Sequence, residues 1–186
     1  MARNSRRRPP RSRARKPDLA DIRLLVLDVD GVMTDGGIYL DPKGRELKRF
    51  NAVDGAGIKY WQRAGREIAI ISGRSGQATL ARAAELGITL VRQSARAKLP
   101  VYEQMLRELK LRPAQVAVMG DDLPDVPMMR RCGFAIAPAN ATPEVLALAE
   151  LVTRRCGGDG AVREAIEHIL RECGLWETIL RRYNLP

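Results

Sequence analysis

The chain lacks any apolar run approaching the ~20 residues that a membrane-spanning helix needs, so no bilayer crossing is expected. Its basic amino terminus is followed by no apolar segment with a small-residue cleavage site, so no secretory signal is expected either. Cysteine is scarce. Cys132, Cys156 and Cys173 are odd in number and without CxxC spacing, which argues against a disulfide framework or a zinc site. They read as reduced thiols of a cytoplasmic protein. Histidine is scarcer still: the lone His168 lies in a helical pattern and is expected at the surface or partly packed, not in catalysis. What remains is an ordinary globular composition, 186 residues and 45% hydrophobic, enough for one domain with a real core.

The formal net charge of +10 is unevenly spread. Residues 1–16 carry Arg3, Arg6, Arg7, Arg8, Arg11, Arg13, Arg15 and Lys16, with no acid. Removing these eight from the 32 basic residues leaves 24 against 22 acidic ones, so the domain itself is nearly neutral. With three prolines by position 17 and no large apolar residue after Met1, residues 1–18 read as a disordered extension. Nucleic acid is a partner only through residues 1–16, by salt-dependent phosphate contacts, because no aromatics interleave the arginines. A dispensable extension is the other reading. The domain is assigned to residues 19–174 and a C-terminal helical tail to 175–186.

Apolar runs alternate with helical patterns along that domain. Strands are expected at 22–28, 67–72, 88–91, 115–119, 134–137 and, briefly, 151–153. Helices are expected near 55–64, 75–86, 98–109, 125–132 and 143–149. Over 161–173, Val162, Ala165, Ile166, Ile169 and Leu170 repeat on one 3.6-residue face. Such alternation specifies an α/β fold, a doubly wound parallel sheet with right-handed crossovers. One segment breaks the pattern. Residues 37–40 and 45–50 flank Asp41-Pro42-Lys43-Gly44 and read as a β-hairpin inserted after the first strand, either a flap or an inert protrusion.

Polar groups gather where such sheets hold their ligands, at strand carboxyl ends. The first strand runs into Asp28 and Asp30, which share one side if the strand extends that far. Two clustered, desolvated carboxylates call for a cation; a strand fraying into a solvated Asp-Gly turn is the plainer alternative. Ser72 ends another strand before Gly73-Arg74-Ser75, which can cradle a phosphate or simply turn the chain. Lys98 opens a helix, and Gly120-Asp121-Asp122-Leu123-Pro124-Asp125 follows the strand at 115–119.

Taken in order, Asp28-Val29-Asp30-Gly31-Val32-Met33-Thr34, Ser72, Lys98 and the Gly120–Asp125 loop resemble the haloacid dehalogenase superfamily of phosphohydrolases. Thr34-Asp35-Gly36, Phe50-Asn51, Asp54-Gly55, Gly73-Arg74 with Arg82, and residues 157–164 narrow the resemblance. They are similar to the 3-deoxy-D-manno-octulosonate 8-phosphate phosphatase family, over roughly residues 22–183. The resemblance implies a haloacid-dehalogenase-like Rossmannoid domain and a phosphomonoester hydrolase with an aspartyl-phosphate intermediate. Asp28 would be the nucleophile and Asp30 the acid and base, with Ser72 and Lys98 binding the phosphoryl group. Mg²⁺ would be held by Asp28, Asp121 and the main-chain carbonyl of Asp30. Thr34, Asn51, Arg74 and Arg82 become candidates for substrate contacts. The gaps from Asp30 to Ser72 and from Ser72 to Lys98 leave no room for a cap domain, and relatives of this kind assemble as homotetramers. Ser94 stands where relatives usually have glycine, and Val53 where many have arginine, so nonulosonate 9-phosphates stay open as substrates. A non-catalytic scaffold with a nucleic-acid-binding tail is the reading of another class.

Overall fold

The computed structural model describes residues 18–185, and the arginine-rich segment 1–16 lies outside them. At its start the Asp18 side chain accepts the Ala20 N–H at 3.0 Å and caps a 3-10 turn, Leu19–Asp21. Among the described residues six strands form one parallel sheet: β1 (Leu24–Leu27), β4 (Glu67–Ile71), β5 (Leu90–Arg92), β6 (Val116–Met119), β7 (Phe134–Ala137) and β8 (Leu151–Val152). Their order is β5-β4-β1-β6-β7-β8. The chain therefore winds outward from β1 to β5, crosses back, and continues from β6 on the other side. Loops diverge at that reversal, and the crevice they leave opens at the β1 and β6 carboxyl ends.

β1 is buried on both faces because its neighbours cover both. Leu25 and Leu27 join the core beneath α1 (Ala52–Arg63), α2 (Gln77–Leu86) and α6 (Ala161–Glu172), with Ile58, Trp61, Leu86, Val162 and Ile166. Leu24 and Val26 face α3 (Lys98–Leu109), α4 (Val126–Met129) and α5 (Pro143–Leu146), through Tyr102, Met105, Met128 and Val145. Strand pleating alone makes this division, residue by residue.

Three expectations need adjustment. β1 stops at Leu27, so both Asp28 and Asp30 belong to the loop beyond it; only the Asp28 N–H, donating to Met119 O at 3.1 Å, continues the ladder. The helix expected from position 55 starts at Ala52, because Asn51 caps it by accepting the Val53 and Asp54 N–H groups. α4 is a single turn, preceded by a separate 3-10 turn, Leu123–Asp125, that Asp122 and Asp125 cap, and α5 is also a single turn. The hairpin is present as β2 (Tyr39–Leu40) paired antiparallel with β3 (Glu46–Leu47). The last helix, α7 (Trp176–Arg181), returns to the domain: Trp176 packs edge-on against Tyr60 at 5.7 Å, with the Arg163 and Arg171 guanidiniums over its ring.

The glycine-rich segment before α6 braces the loop that follows β1. Gly158 donates its N–H to Val32 O at 3.1 Å, and Gly157 donates to Asn140 Oδ1 at 2.7 Å. A β-carbon at Gly157 would overlap the Gly31 carbonyl oxygen and lie 3.0 Å from Thr34 O. Both contacts are backbone and give little. Gly157→Ala is therefore expected to destabilise the fold by about 2 kcal/mol or more, read as a lower urea midpoint at unchanged slope.

Candidate active site

The sheet topology brings Asp28, Asp30, Ser72, Gly73, Arg74, Lys98, Asp121, Asp122, Pro124 and Asp125 around one cleft of about 220 Å³. At its floor lies Lys98, in the first turn of α3 and 5% exposed. Its Nζ donates to Asp28 Oδ1 at 2.6 Å and to Asp125 Oδ1 at 2.7 Å. Burial pulls the ammonium's pKa down, but the two carboxylates outweigh burial and hold it above its ordinary value. Asp125 is fully engaged: its other oxygen accepts the Asp121 and Asp122 N–H groups at 3.2 and 3.4 Å, which shapes the loop after β6. Ser72, 3% exposed, directly follows β4, with its Oγ accepting the Arg74 N–H at 3.2 Å.

The remaining charge is uncompensated. Five carboxylates line the cleft against Lys98 and Arg74. Burial, then Asp125, pushes Asp28 up to about 6 despite Lys98. Burial, then Asp28 and Asp125, pushes Asp121 up to about 7. Carboxylate oxygens of Asp28, Asp121 and Asp125 all lie within 4.8 Å of one another. An all-oxygen cluster that resists being charged fits a hard divalent cation such as Mg²⁺. Because Asp125 is committed to Lys98 and the loop, Asp28 and Asp121 are the side chains that could hold it. The Asp30 carboxylate is outside this trio. Gly31, at φ +92°, makes the approach of the two acid loops feasible, because a β-carbon there would collide with the Asp121 carboxylate.

Asp30 is held from the hairpin instead. Lys48, with its side chain 2% exposed, pairs with Asp30 Oδ1 and lies 3.3 Å from Glu46 Oε1. Glu46 in turn accepts from Arg74 Nη2 at 2.6 Å, and Arg74 Nε approaches Asp30 Oδ2 at 3.8 Å. Lys48 and Glu46 are the neighbours of Asp30 and Arg74 that the sequence alone did not reveal. Their signal was the hairpin's position directly after the Asp28–Thr34 loop, without any indication of which side chains it turns inward.

Thr34, Asn51 and Arg82 are not brought to the cleft. The Thr34 hydroxyl donates to Val29 O at 3.2 Å and accepts the Gly31 and Gly36 N–H groups, so it ties the loop to itself. Asn51 caps α1 and reaches Gly158 O at 3.4 Å. Arg82 lies over the Phe50 ring at 5.9 Å and donates to Glu85 and Asn51 O. Of the four expected substrate contacts, Arg74 alone lines the cleft.

A carboxylate-bearing loop at a Rossmannoid switch point, facing a buried lysine and a second acid loop, is the arrangement of a haloacid dehalogenase-like hydrolase. Residues 91–166 match the family of that description. The chain is 48% identical over 151 residues to the 3-deoxy-D-manno-octulosonate 8-phosphate phosphatase of Yersinia pestis, covering 81% of each chain. It is 45% identical over 150 residues to the same enzyme of Escherichia coli K12, covering 81% of this chain and 80% of the relative. It also superposes with a TM-score of 0.87, at 34% identity over 89% of this chain and 95% of the other, on the enzyme from Moraxella catarrhalis. That crystal structure is a complex with a magnesium ion, a phosphate ion and the sugar acid KDO. The chain belongs to the 3-deoxy-D-manno-octulosonate 8-phosphate phosphatase family.

The raised Asp121 carboxyl has a measurable consequence when no divalent cation is bound. Its folded pKa of about 7 exceeds the ordinary value of 3.8, so its contribution to stability is present at low pH and lost as pH rises through about 7. In chelator, Asp121→Asn should equal the parent in stability near pH 4 and exceed it increasingly up to pH 7. Denaturant melts across that range check this. Added Mg²⁺ should raise the melting temperature of the parent and leave the variant's almost unmoved.

Proposed function

We propose that this chain is a Mg²⁺-dependent phosphomonoester hydrolase that converts 3-deoxy-D-manno-octulosonate 8-phosphate to the free sugar acid and phosphate, in lipopolysaccharide precursor synthesis. The observation that carries the proposal is the Lys98-held Asp28 beside the unneutralised Asp121 at the cleft floor. Support comes from the family, whose Moraxella catarrhalis member holds magnesium, phosphate and KDO. Asp28, Asp121 and the Asp30 carbonyl would hold Mg²⁺, which when bound offsets the negative charge shared by the carboxylates and the phosphate.

An Asp28 oxygen attacks phosphorus as the bond from phosphorus to the sugar oxygen breaks. Asp30, in its acid form, gives its proton to that departing oxygen. The sugar acid leaves, and Asp28 carries the phosphoryl group as an acyl phosphate. Asp30, now a carboxylate, takes a proton from a water whose oxygen attacks the same phosphorus. Phosphate departs and Asp28 is regenerated. Ser72 Oγ and the Lys98 ammonium stabilise the charge that builds on the phosphoryl oxygens. Lys98 also holds one oxygen of Asp28 in place, which orients the other toward its target. Arg74, anchored by Glu46, contacts the substrate at the cleft mouth, while Thr34, Asn51 and Arg82 serve the frame.

A cleft without a cap leaves its substrate open to water unless a neighbour covers it. Ile38, Tyr39, Leu40 and Leu47 on the hairpin are 64, 44, 63 and 56% exposed, an apolar cluster that a subunit interface would bury. We take the working unit to be a homotetramer joined through these hairpins. The cytoplasm is the compartment we assign, since the free cysteines, with Cys156 exposed, suit reducing surroundings. No helix of the described residues is long and apolar enough to cross a membrane.

Asp28→Asn should abolish turnover, by about 10⁴-fold or more, while leaving the circular dichroism spectrum unchanged. Near-normal hydrolysis by that variant would remove Asp28 as nucleophile. Rates on the octulosonate 8-phosphate should exceed those on nonulosonate 9-phosphates; a clear preference for nucleotides or phosphoproteins would sink the substrate assignment. Leu47→Glu alters the hairpin on the side opposite Glu46 and Lys48. It should reduce the assembly's mass by sedimentation and lower kcat/KM with it.

A further inference from the structure

The hairpin delivers a lysine to Asp30 through its own geometry. An isolated antiparallel bridge between Thr34 and Phe50 closes the hairpin's base onto the loop that carries Asp28 and Asp30. Alternation along the strand then separates neighbouring side chains: Leu47 stands 56% exposed, while Glu46 and Lys48 turn toward Arg74 and Asp30. With its side chain 2% exposed, the Lys48 ammonium has left water and relies on Asp30 Oδ1 and Glu46 Oε1. Glu46 Oε1 also accepts from Arg74 Nη2 at 2.6 Å, so one carboxylate steadies both cations that face Asp30. Asp30 and Arg74 line the cleft, whereas Lys48 lines a separate recess with Phe50, Ala78 and Arg82.

The two oxygens of Asp30 are therefore unlike. An ammonium offers only N–H donors, so the oxygen it holds, Oδ1, can only accept. Any proton that Asp30 carries sits on Oδ2. That oxygen is not tied down: Arg74 Nε lies 3.8 Å from it, beyond hydrogen-bond range. Arg74 is also half exposed and already bonded to Glu46, which makes buried Lys48 the fixed contact of the two. The same device serves the other working carboxylate, since Lys98 holds Asp28 Oδ1 at 2.6 Å. Two lysines from different elements each hold one oxygen and leave the second free.

We propose that Lys48 is the positioning residue for Asp30, holding Oδ1 so that Oδ2 faces the departing oxygen of the substrate. The assignment rests on the acid and base role given to Asp30 in the mechanism above. As the bond from phosphorus to the sugar oxygen breaks, the Oδ2–H bond breaks with it, and its proton passes to that oxygen. The electron pair stays on Oδ2, which next takes a proton from the attacking water. Lys48 keeps its own protons throughout. One oxygen thereby serves both transfers without the carboxyl group having to turn.

The test compares kcat/KM for two phosphomonoesters that differ in their need for a proton, in the full-length chain. The octulosonate 8-phosphate releases an alkoxide-like oxygen that must be protonated as it departs. p-Nitrophenyl phosphate releases a stable phenolate that needs no proton. Lys48→Met keeps the bulk of the stem without the charge. It should lower kcat/KM about 100-fold on the sugar phosphate, through kcat, and only about fivefold on the aryl ester. Asp30→Asn should likewise lose more on the sugar phosphate, and Lys48→Arg, again a donor-only cation, should recover part of the Lys48→Met loss. Equal losses on both esters in Lys48→Met, with Asp30→Asn still unequal, overturn the positioning role alone, because they mark an ion pair that merely pins the hairpin. Undiminished rates in Lys48→Met overturn it too. Equal losses in Asp30→Asn overturn the acid role of Asp30 and the role of Lys48 with it. Should Lys48→Met lose the parent's circular dichroism spectrum, Lys48→Arg decides: a larger loss on the sugar phosphate supports the proposal, and equal rates or equal losses overturn it.

Discussion

Lys98 is an ammonium removed from water and shared between two carboxylates, and three separate parts of the chain meet through it. Asp28 arrives from the end of β1, Asp125 from the loop after β6, and Lys98 from the first turn of α3. A cation at a helix amino end and a carboxylate pushed up to about 6 each oppose ordinary preference. Breaking such a buried triad by removing one member typically costs about 3–5 kcal/mol, because the charges left behind lose their compensation. In the mechanism proposed above, the arrangement prepares an anionic nucleophile for an anionic target. The surrounding hydrophobic core, covered on both faces of β1, supplies the stability against which this local cost is set.

The second layer of control is the hairpin. In a fold without a cap, the short antiparallel insertion brings Lys48 and Glu46 over Asp30 and Arg74 while leaving its large apolar side chains in solvent. One small element thereby faces the cleft on one side and presents an exposed apolar surface on the other. The Gly157-Gly158 segment steadies the other side of the same loop, packed so closely on Gly31 and Thr34 that only glycine fits. Asp54 completes the brace from α1, accepting the Gly160 and Arg163 N–H groups at 3.2 and 2.8 Å at the start of α6.

Much of the fold was legible in local pattern. The run before Asp28 is apolar at every position because both faces are covered, and the 161–173 periodicity marks one packed helix face. Boundaries were less legible where caps intervene: Asn51 starts α1 three residues early, and the helix expected at 125–132 is the single turn Val126–Met129, preceded by a capped 3-10 turn. Among the cleft residues, Asp28, Ser72, Lys98 and Asp121 follow recognisable chain signals. Lys48 does not, since a lysine in a hairpin is usually solvated. The expected contacts of Thr34, Asn51 and Arg82 likewise depended on where their side chains turn. All three turn into the frame.

By itself the sequence determined the order of strands and helices and the carboxylates, hydroxyl and lysine at their ends. It could do so because hydrophobic periodicity and short polar motifs are local properties of a chain. Only the tertiary structure decided how those groups are shared. It gave Asp125 to Lys98, left Asp121 without an ion pair among the described residues, and drew Lys48 onto Asp30. Such assignments depend on distances between residues far apart in sequence, and on which neighbours have already used their hydrogen bonds.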